Sequence, residues 1–138
     1  MVEHWFLHNG NKLKKVLICM VLILNVSVIA SMCITKHVSG KPTVFGYRPY
    51  FIMSGSMEPT IKTYQLVLAV PVEPDDVQVG DIITYDRYST VSRLIKQTVI
   101  HRVISIIDDK EVICKGDNNE RADAPVSTDR IGYKIIAY

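Results

Sequence analysis

Hydrophobic positions along this chain fall into two regimes. From Val16 to Thr35 they run without a single charge, bounded by Lys15 and Lys36, and only Asn25, Ser27 and Ser31 bring clear polarity into the run. At a rise of about 1.5 Å per residue, such a stretch crosses a hydrocarbon core of about 30 Å. A cleaved signal peptide has a shorter apolar core and a small-x-small exit. Here the exit, Ser31-Met32-Cys33-Ile34, lacks small residues at those offsets, and Met32 before Cys33 does not suit a lipoprotein signal. The pattern predicts a retained transmembrane anchor over 16–35, behind an N-terminal tail over 1–15.

Beyond residue 36 the period shortens. Compact apolar or β-branched runs alternate with turn residues, which reads as a mainly β extramembrane domain over 36–138. Strands are expected at Tyr50–Met53, at Gln65–Val70 (closed by Pro71) and at Asp81–Tyr85. Others are expected at Thr98–Ile107, Glu111–Cys114 and Ile131–Tyr138. Pro74, Asp75, Asp76 and Gly80 mark a loop, Asp108-Asp109 a turn, and 87–97 a helical or loop segment. Short strands joined by turns imply a small twisted sheet or partly closed barrel. β pairing is non-local, so the pattern leaves strand order open.

The chain has 138 residues, which fits one modest domain besides the anchor. Net charge is +2, and Lys12, Lys14 and Lys15 against Glu3 account for it, so the remainder sums to zero and presents no basic face for nucleic acid. Lys36, Lys41 and Arg48 match those three lysines in number. The close packing of the N-terminal three against the apolar run tilts the positive-inside rule towards a cytoplasmic N-terminus. Trp5 and Phe6 suit either a membrane interface or a disordered tail. Cys19, Cys33 and Cys114 have neither zinc-site nor disulfide spacing and read as small apolar side chains. No metal or cofactor is expected.

The chemistry-bearing residues lie after the anchor. Ser56 sits in Ser54-Gly55-Ser56-Met57-Glu58-Pro59, where Gly55 would allow an unusual backbone angle or close approach of a substrate, and Pro59 limits helix formation. A serine hydroxyl needs a neighbouring base to become a nucleophile. His101 is the base candidate, because His4, His8 and His37 lie outside the expected core. Strand alternation puts His101 on the face opposite Ile100 and Arg102. Asp117, in Lys115-Gly116-Asp117-Asn118-Asn119, and Asp123, before Ala124-Pro125, are both candidates for the carboxylate that orients the imidazole. Each also has a plainer reading: an ordinary Ser-Gly turn for Ser56, a half-buried structural histidine for His101, a loop-holding aspartate for Asp117 and an idle surface carboxylate for Asp123. Lys62 and Lys96 are the alternative bases of a Ser-Lys arrangement, although Lys96 lies in a polar stretch that disfavours the burial such a base needs. A catalytically idle anchored β-domain that assists secretion or assembly is the non-enzymatic alternative.

Taken in order, Ser-Gly-Ser-Met-Glu-Pro-Thr, Val-Gly-Asp-Ile-Ile-Thr-Tyr, His-Arg-Val-Ile and Lys-Gly-Asp-Asn-Asn with an aspartate six residues on resemble the boxes of type I signal peptidases. The match is to the ER-type branch shared by archaea, eukaryotes and some Gram-positive bacteria, and covers the anchor and nearly all of 50–136. The resemblance implies a signal-peptidase-type β domain and a membrane-anchored serine endopeptidase. It would cleave signal peptides from secreted preproteins after small residues at −3 and −1. It implies Ser56 as nucleophile, His101 as base in place of the lysine of the common bacterial branch, Asp123 as the triad acid and Asp117 as a supporting residue. Ser54 matches a hydroxyl that, in the bacterial branch, helps the nucleophile's own N–H to bind the oxyanion. Ile52, Met53 and Met57 are expected to line shallow substrate pockets. Expected partners are signal peptides, the lipid bilayer and the translocation machinery. The expected location is a single-pass membrane protein with its catalytic domain on the non-cytoplasmic side of the cell membrane, or of the ER membrane in a eukaryote. In many relatives the last strand leads into further apolar sequence, whereas this chain stops at Tyr138, as a truncated or minimal member would.

Overall fold

The computed structural model describes residues 2–88 and 96–138, with side chains for 12–88 and 97–138. It separates into two compact units, Met1–Phe45 and Gly46–Tyr138. In the first, a single helix, α1, covers Val2–Ser39, so it overruns the apolar stretch at both ends and takes in most of the segment read as a tail. Extending a formed helix costs little compared with starting one, which accounts for the overrun. Its Lys12–Ser39 portion is long and apolar enough to cross a membrane. Two of the polar residues inside that run bond back to the helix itself: Asn25 Nδ2 donates to the Val21 carbonyl (2.7 Å) and Ser27 Oγ to that of Leu24 (2.8 Å). Such bonds satisfy the side chains without water. Gly40, at φ 68°, ends the helix in the left-handed conformation and donates its N–H to the Lys36 carbonyl (3.0 Å). The chain then turns back: the Thr43 N–H donates to Thr35 Oγ1 (2.9 Å) and the Phe45 N–H to Ser31 Oγ (2.9 Å).

The second unit is an antiparallel sheet with strands β1 (Arg48–Phe51), β2 (Leu66–Pro71), β3 (Ile82–Tyr88), β4 (Lys96–Asp108), β5 (Glu111–Lys115), β6 (Val126–Ser127) and β7 (Ile131–Ala137). Their order is β1-β2-β7-β3-β4-β5-β6, with β1 and β6 at the edges, so the sheet stays open and does not close into a barrel. Every expected strand is present within a few residues. Pro71 lies inside β2, as its last residue, because only a strand interior is closed to proline. The two-residue β6 carries too short a pattern to read from sequence. Of the segment 87–97, the ends belong to β3 and β4, while 89–95 lie outside the described residues.

Two apolar clusters form, and the strand pleat explains why. Ile82 and Ile83 are neighbours in β3 yet join different clusters, because successive side chains leave a strand on opposite faces. Ile83, Tyr85, Val99, Val103, Val112 and Cys114 build one. Met57, Ile61, Val67, Ala69, Tyr133 and Ile135 build the other with Ile82. β3, buried from Ile82 to Tyr85, is therefore shielded on both faces. Full burial of a side chain such as Ile83 contributes about 1.5–3 kcal/mol.

Candidate active site

β4 supplies the imidazole. Val99, His101 and Val103 share the inward face of the strand, and His101 is 6 % exposed, paired in register with Ile83 of β3. The alternation expected from sequence holds, with Ile100 and Arg102 turned the other way and half-buried. β5 borders β4 only from Arg102 onward. Beside the preceding residues of β4 the serine turn comes in.

That turn is a single 3-10 turn, Gly55–Met57, anchored by Met57, which is 1 % exposed. Its frame closes through main-chain bonds from the Ile61 N–H to the Met57 carbonyl (2.9 Å) and from the Tyr64 N–H to the Ile52 carbonyl (2.8 Å). Glu58 Oε1 accepts from the Thr63 N–H (3.2 Å) and hydroxyl (2.7 Å), and these bonds hold its carboxyl below the usual range. Of the two roles open to Gly55, the unusual backbone angle is not taken: among the described residues the left-handed glycines are Gly40, Gly46 and Gly80. A Cβ at Gly55 would meet Glu58 at 3.4 Å, which is ordinary contact.

The glycine that the site does require is Gly116. A Cβ there would stand 2.5 Å from the Ser56 carbonyl oxygen. The same short loop clamps the serine turn twice. The Asn118 N–H donates to the Ser56 carbonyl (2.9 Å), and Asn118 Nδ2 donates to the Gly55 carbonyl (3.1 Å). The Gly55 carbonyl and the Ser56 N–H belong to one planar peptide unit, so Asn118 fixes the direction of that N–H.

Ser56 Oγ lies 3.2 Å from His101 Nε2, and His101 Nδ1 lies 2.6 Å from Asp123 Oδ2. Of the two candidate acids, Asp123 meets the histidine. Asp117 instead receives two bonds from Arg102, at 2.8 Å and 2.7 Å, and Arg102 also donates to the Gly80 carbonyl (2.9 Å). That paired guanidinium is the first cause holding the Asp117 carboxyl below its ordinary value. Asp123 is pinned by its N–H to the Cys114 carbonyl (2.8 Å) and takes a hydrogen bond from the Tyr85 hydroxyl (2.7 Å). Burial, and then the Asp123 charge, push the Cys114 thiol up to about 12, so it stays a neutral core side chain. Ser54 Oγ lies 3.3 Å from Ser56 Oγ and is exposed. Lys62 is exposed, and the lysine alternative draws no support from it; the Lys96 side chain lies outside the described ones.

A groove of about 710 Å³ opens over these groups, lined by residues 50–54 on one side and 97–101 on the other. Ile52 and Met57 are buried in its wall, whereas Met53 is 73 % exposed at its margin. Sequence reasoning missed Tyr85, Asn118 and the reason for Gly116. A lone polar tip at an inward strand position, and a glycine at a strand end, were the available signals.

An Nδ1–H held by a carboxylate leaves the Nε2 lone pair facing the serine hydroxyl, which is the serine-hydrolase arrangement, here built on an open antiparallel sheet. In sequence the chain is similar to signal peptidase I W of Bacillus subtilis (strain 168), with 32 % identity over 127 residues, covering 88 % of this chain and 62 % of that protein. That relationship places the chain among the relatives of the type I signal peptidases, and His101 is consistent with the Ser-His branch. The chain spans less than two thirds of that relative's length. No family model and no solved structure matches it.

Proposed function

We propose that this protein is a membrane-anchored serine endopeptidase that removes signal peptides from exported preproteins. The observation that carries the reading is the 3.2 Å approach of Ser56 Oγ to His101 Nε2, with Asp123 on the ring's far nitrogen. In the reaction His101 Nε2 takes the hydroxyl proton as Ser56 Oγ attacks the scissile carbonyl. The tetrahedral oxyanion is held by the Ser56 N–H, with the Ser54 hydroxyl as a second donor. The proton passes to the leaving amine, and water activated by the same nitrogen then releases the acyl-enzyme. Asp123 keeps its negative charge throughout and stabilises the imidazolium.

The groove suits an extended peptide. β1 is an edge strand, and among the described residues 97–101 of β4 pair only with β3. A segment entering there gains main-chain hydrogen bonds of the strand-addition kind. Ile52 and Met57 wall the positions for small side chains at −1 and −3, and Met53 rims them. The apolar helix spans the bilayer with the catalytic unit on the non-cytoplasmic side, where exported preproteins emerge from the translocation machinery.

The test is cleavage of a labelled preprotein by the detergent-solubilised full chain. Processing after small residues at −3 and −1 that vanishes in both Ser56→Ala and His101→Ala supports the reading. Processing retained in either purified variant removes it.

A further inference from the structure

Among the described residues, Tyr85 is the buried phenol whose hydroxyl reaches the catalytic constellation. It lies on β3 opposite Val99, which makes it the diagonal neighbour of His101 on the same face. The two rings meet edge to face with centroids 6.4 Å apart. The residue is 3 % exposed, and its hydroxyl donates to Asp123 Oδ2 at 2.7 Å. That is the same oxygen that His101 Nδ1 approaches at 2.6 Å. A buried O–H must find an acceptor, and here the acceptor is the triad acid. Burial, and then the bond to Asp123, raise the phenol well above its ordinary value, so it remains a donor wherever the histidine can act as base.

We infer that Tyr85 is a positioning residue for the Ser56-His101-Asp123 triad, holding the Asp123 carboxylate in line with His101 Nδ1 and moderating its charge. Two donors on one oxygen have two consequences. The carboxylate cannot rotate away without breaking both bonds, so the histidine keeps the tautomer that leaves Nε2 bare. The phenol also shares the negative charge, so the imidazolium is held less tightly and gives its proton up more readily to the leaving amine. No proton moves from Tyr85 at any step. Among the described residues, the other ionisable groups whose charges act here include Cys114 of β5, the Asp117–Arg102 pair, and Arg87 of β3, which acts on Tyr85. None of these stands between the phenol and the carboxylate.

The inference rests on the proteolytic reading above, so its test carries one readout that needs no turnover. Tyr85→Phe keeps the ring and removes only the donor. In the full chain in detergent, kcat is expected to fall about tenfold with KM unchanged, as loss of one hydrogen bond to a charged group allows. The acid limb of kcat/KM should move to higher pH, because an unshared carboxylate favours the imidazolium. Independently, the low-field proton resonance of His101 Nδ1–H is compared between Ser56→Ala and the double variant Ser56→Ala/Tyr85→Phe. A shifted or broadened signal in the double variant supports the inference even where no preprotein is cleaved. An unmoved resonance together with a parental pH profile overturns it. Absence of cleavage by the parent would count against the proteolytic reading alone.

Discussion

An imidazole between a hydroxyl and a carboxylate works in only one of its tautomers, and that makes single atoms decisive here. Asp123→Ala removes the acceptor that holds His101 in its Nδ1–H tautomer. Loss of the correct tautomer is expected to lower kcat on the order of 10⁴-fold, measured with a labelled preprotein under saturating conditions. Asp117→Asn should behave differently, because Asp117 bonds Arg102 and not the histidine. Its consequence lies in stability. Arg102 depresses the Asp117 carboxyl, so the pair stabilises the fold at pH above the ordinary aspartate range near ~4 and loses that contribution as pH falls through the depressed value. Melting curves recorded across pH should therefore show the parent more stable than Asp117→Asn at neutral pH, with the gap closing on acidification below about pH 4. A gap that stays constant with pH would assign Asp117 a purely steric role.

At the scale of elements, the site depends on a strand end and two turns meeting closely. Gly116, at the exit of β5, lies against the Ser56 carbonyl, so Gly116→Ala forces this contact open and is expected to displace the serine turn. A displacement near 1 Å costs on the order of 100-fold in rate. That loss should appear with the far-UV spectrum of the sheet intact, since Gly116 lies outside every strand. An Ala variant of parental activity would mean that the loop yields and the turn does not. These elements also mark how far the chain can be read without its structure. Strand positions were legible because β-branched runs alternate with turn residues, and Ser56 and His101 stood out because their chemistry has few substitutes. The residues alone left the choice between Asp117 and Asp123 open, and only the family resemblance pointed to Asp123. Both follow β5 within one loop, and only the pairing of Arg102 with Lys115 decides which carboxylate reaches around to the histidine. Tyr85 stayed hidden for a related reason: its partner lies in a loop that no local pattern ties to β3. Of the two reasons for a glycine at position 55, the special backbone angle is one that the 3-10 turn does not use.

At the scale of the whole molecule, both apolar clusters draw all of their described residues from Gly46–Tyr138. The catalytic unit therefore carries its own core, and a fragment of residues 46–138 is expected to fold without the helix. Ile83→Ala offers the check on that independence. Emptying this fully buried position costs about 2–5 kcal/mol, and the loss in urea unfolding should be the same in the fragment as in the full chain. The helix then contributes by confinement. On the proposed reading, a preprotein held in the same bilayer would meet the chain at an effective concentration set by the membrane, an advantage of about 10²–10⁴ over encounter in solution. The fragment should accordingly match the full chain on a short soluble peptide and fall behind by a factor of that order on a preprotein inserted in vesicles, with the whole difference in KM. If the fragment lost kcat on the soluble peptide as well, the helix would have to act on the chemistry itself, through a route that the triad geometry does not require.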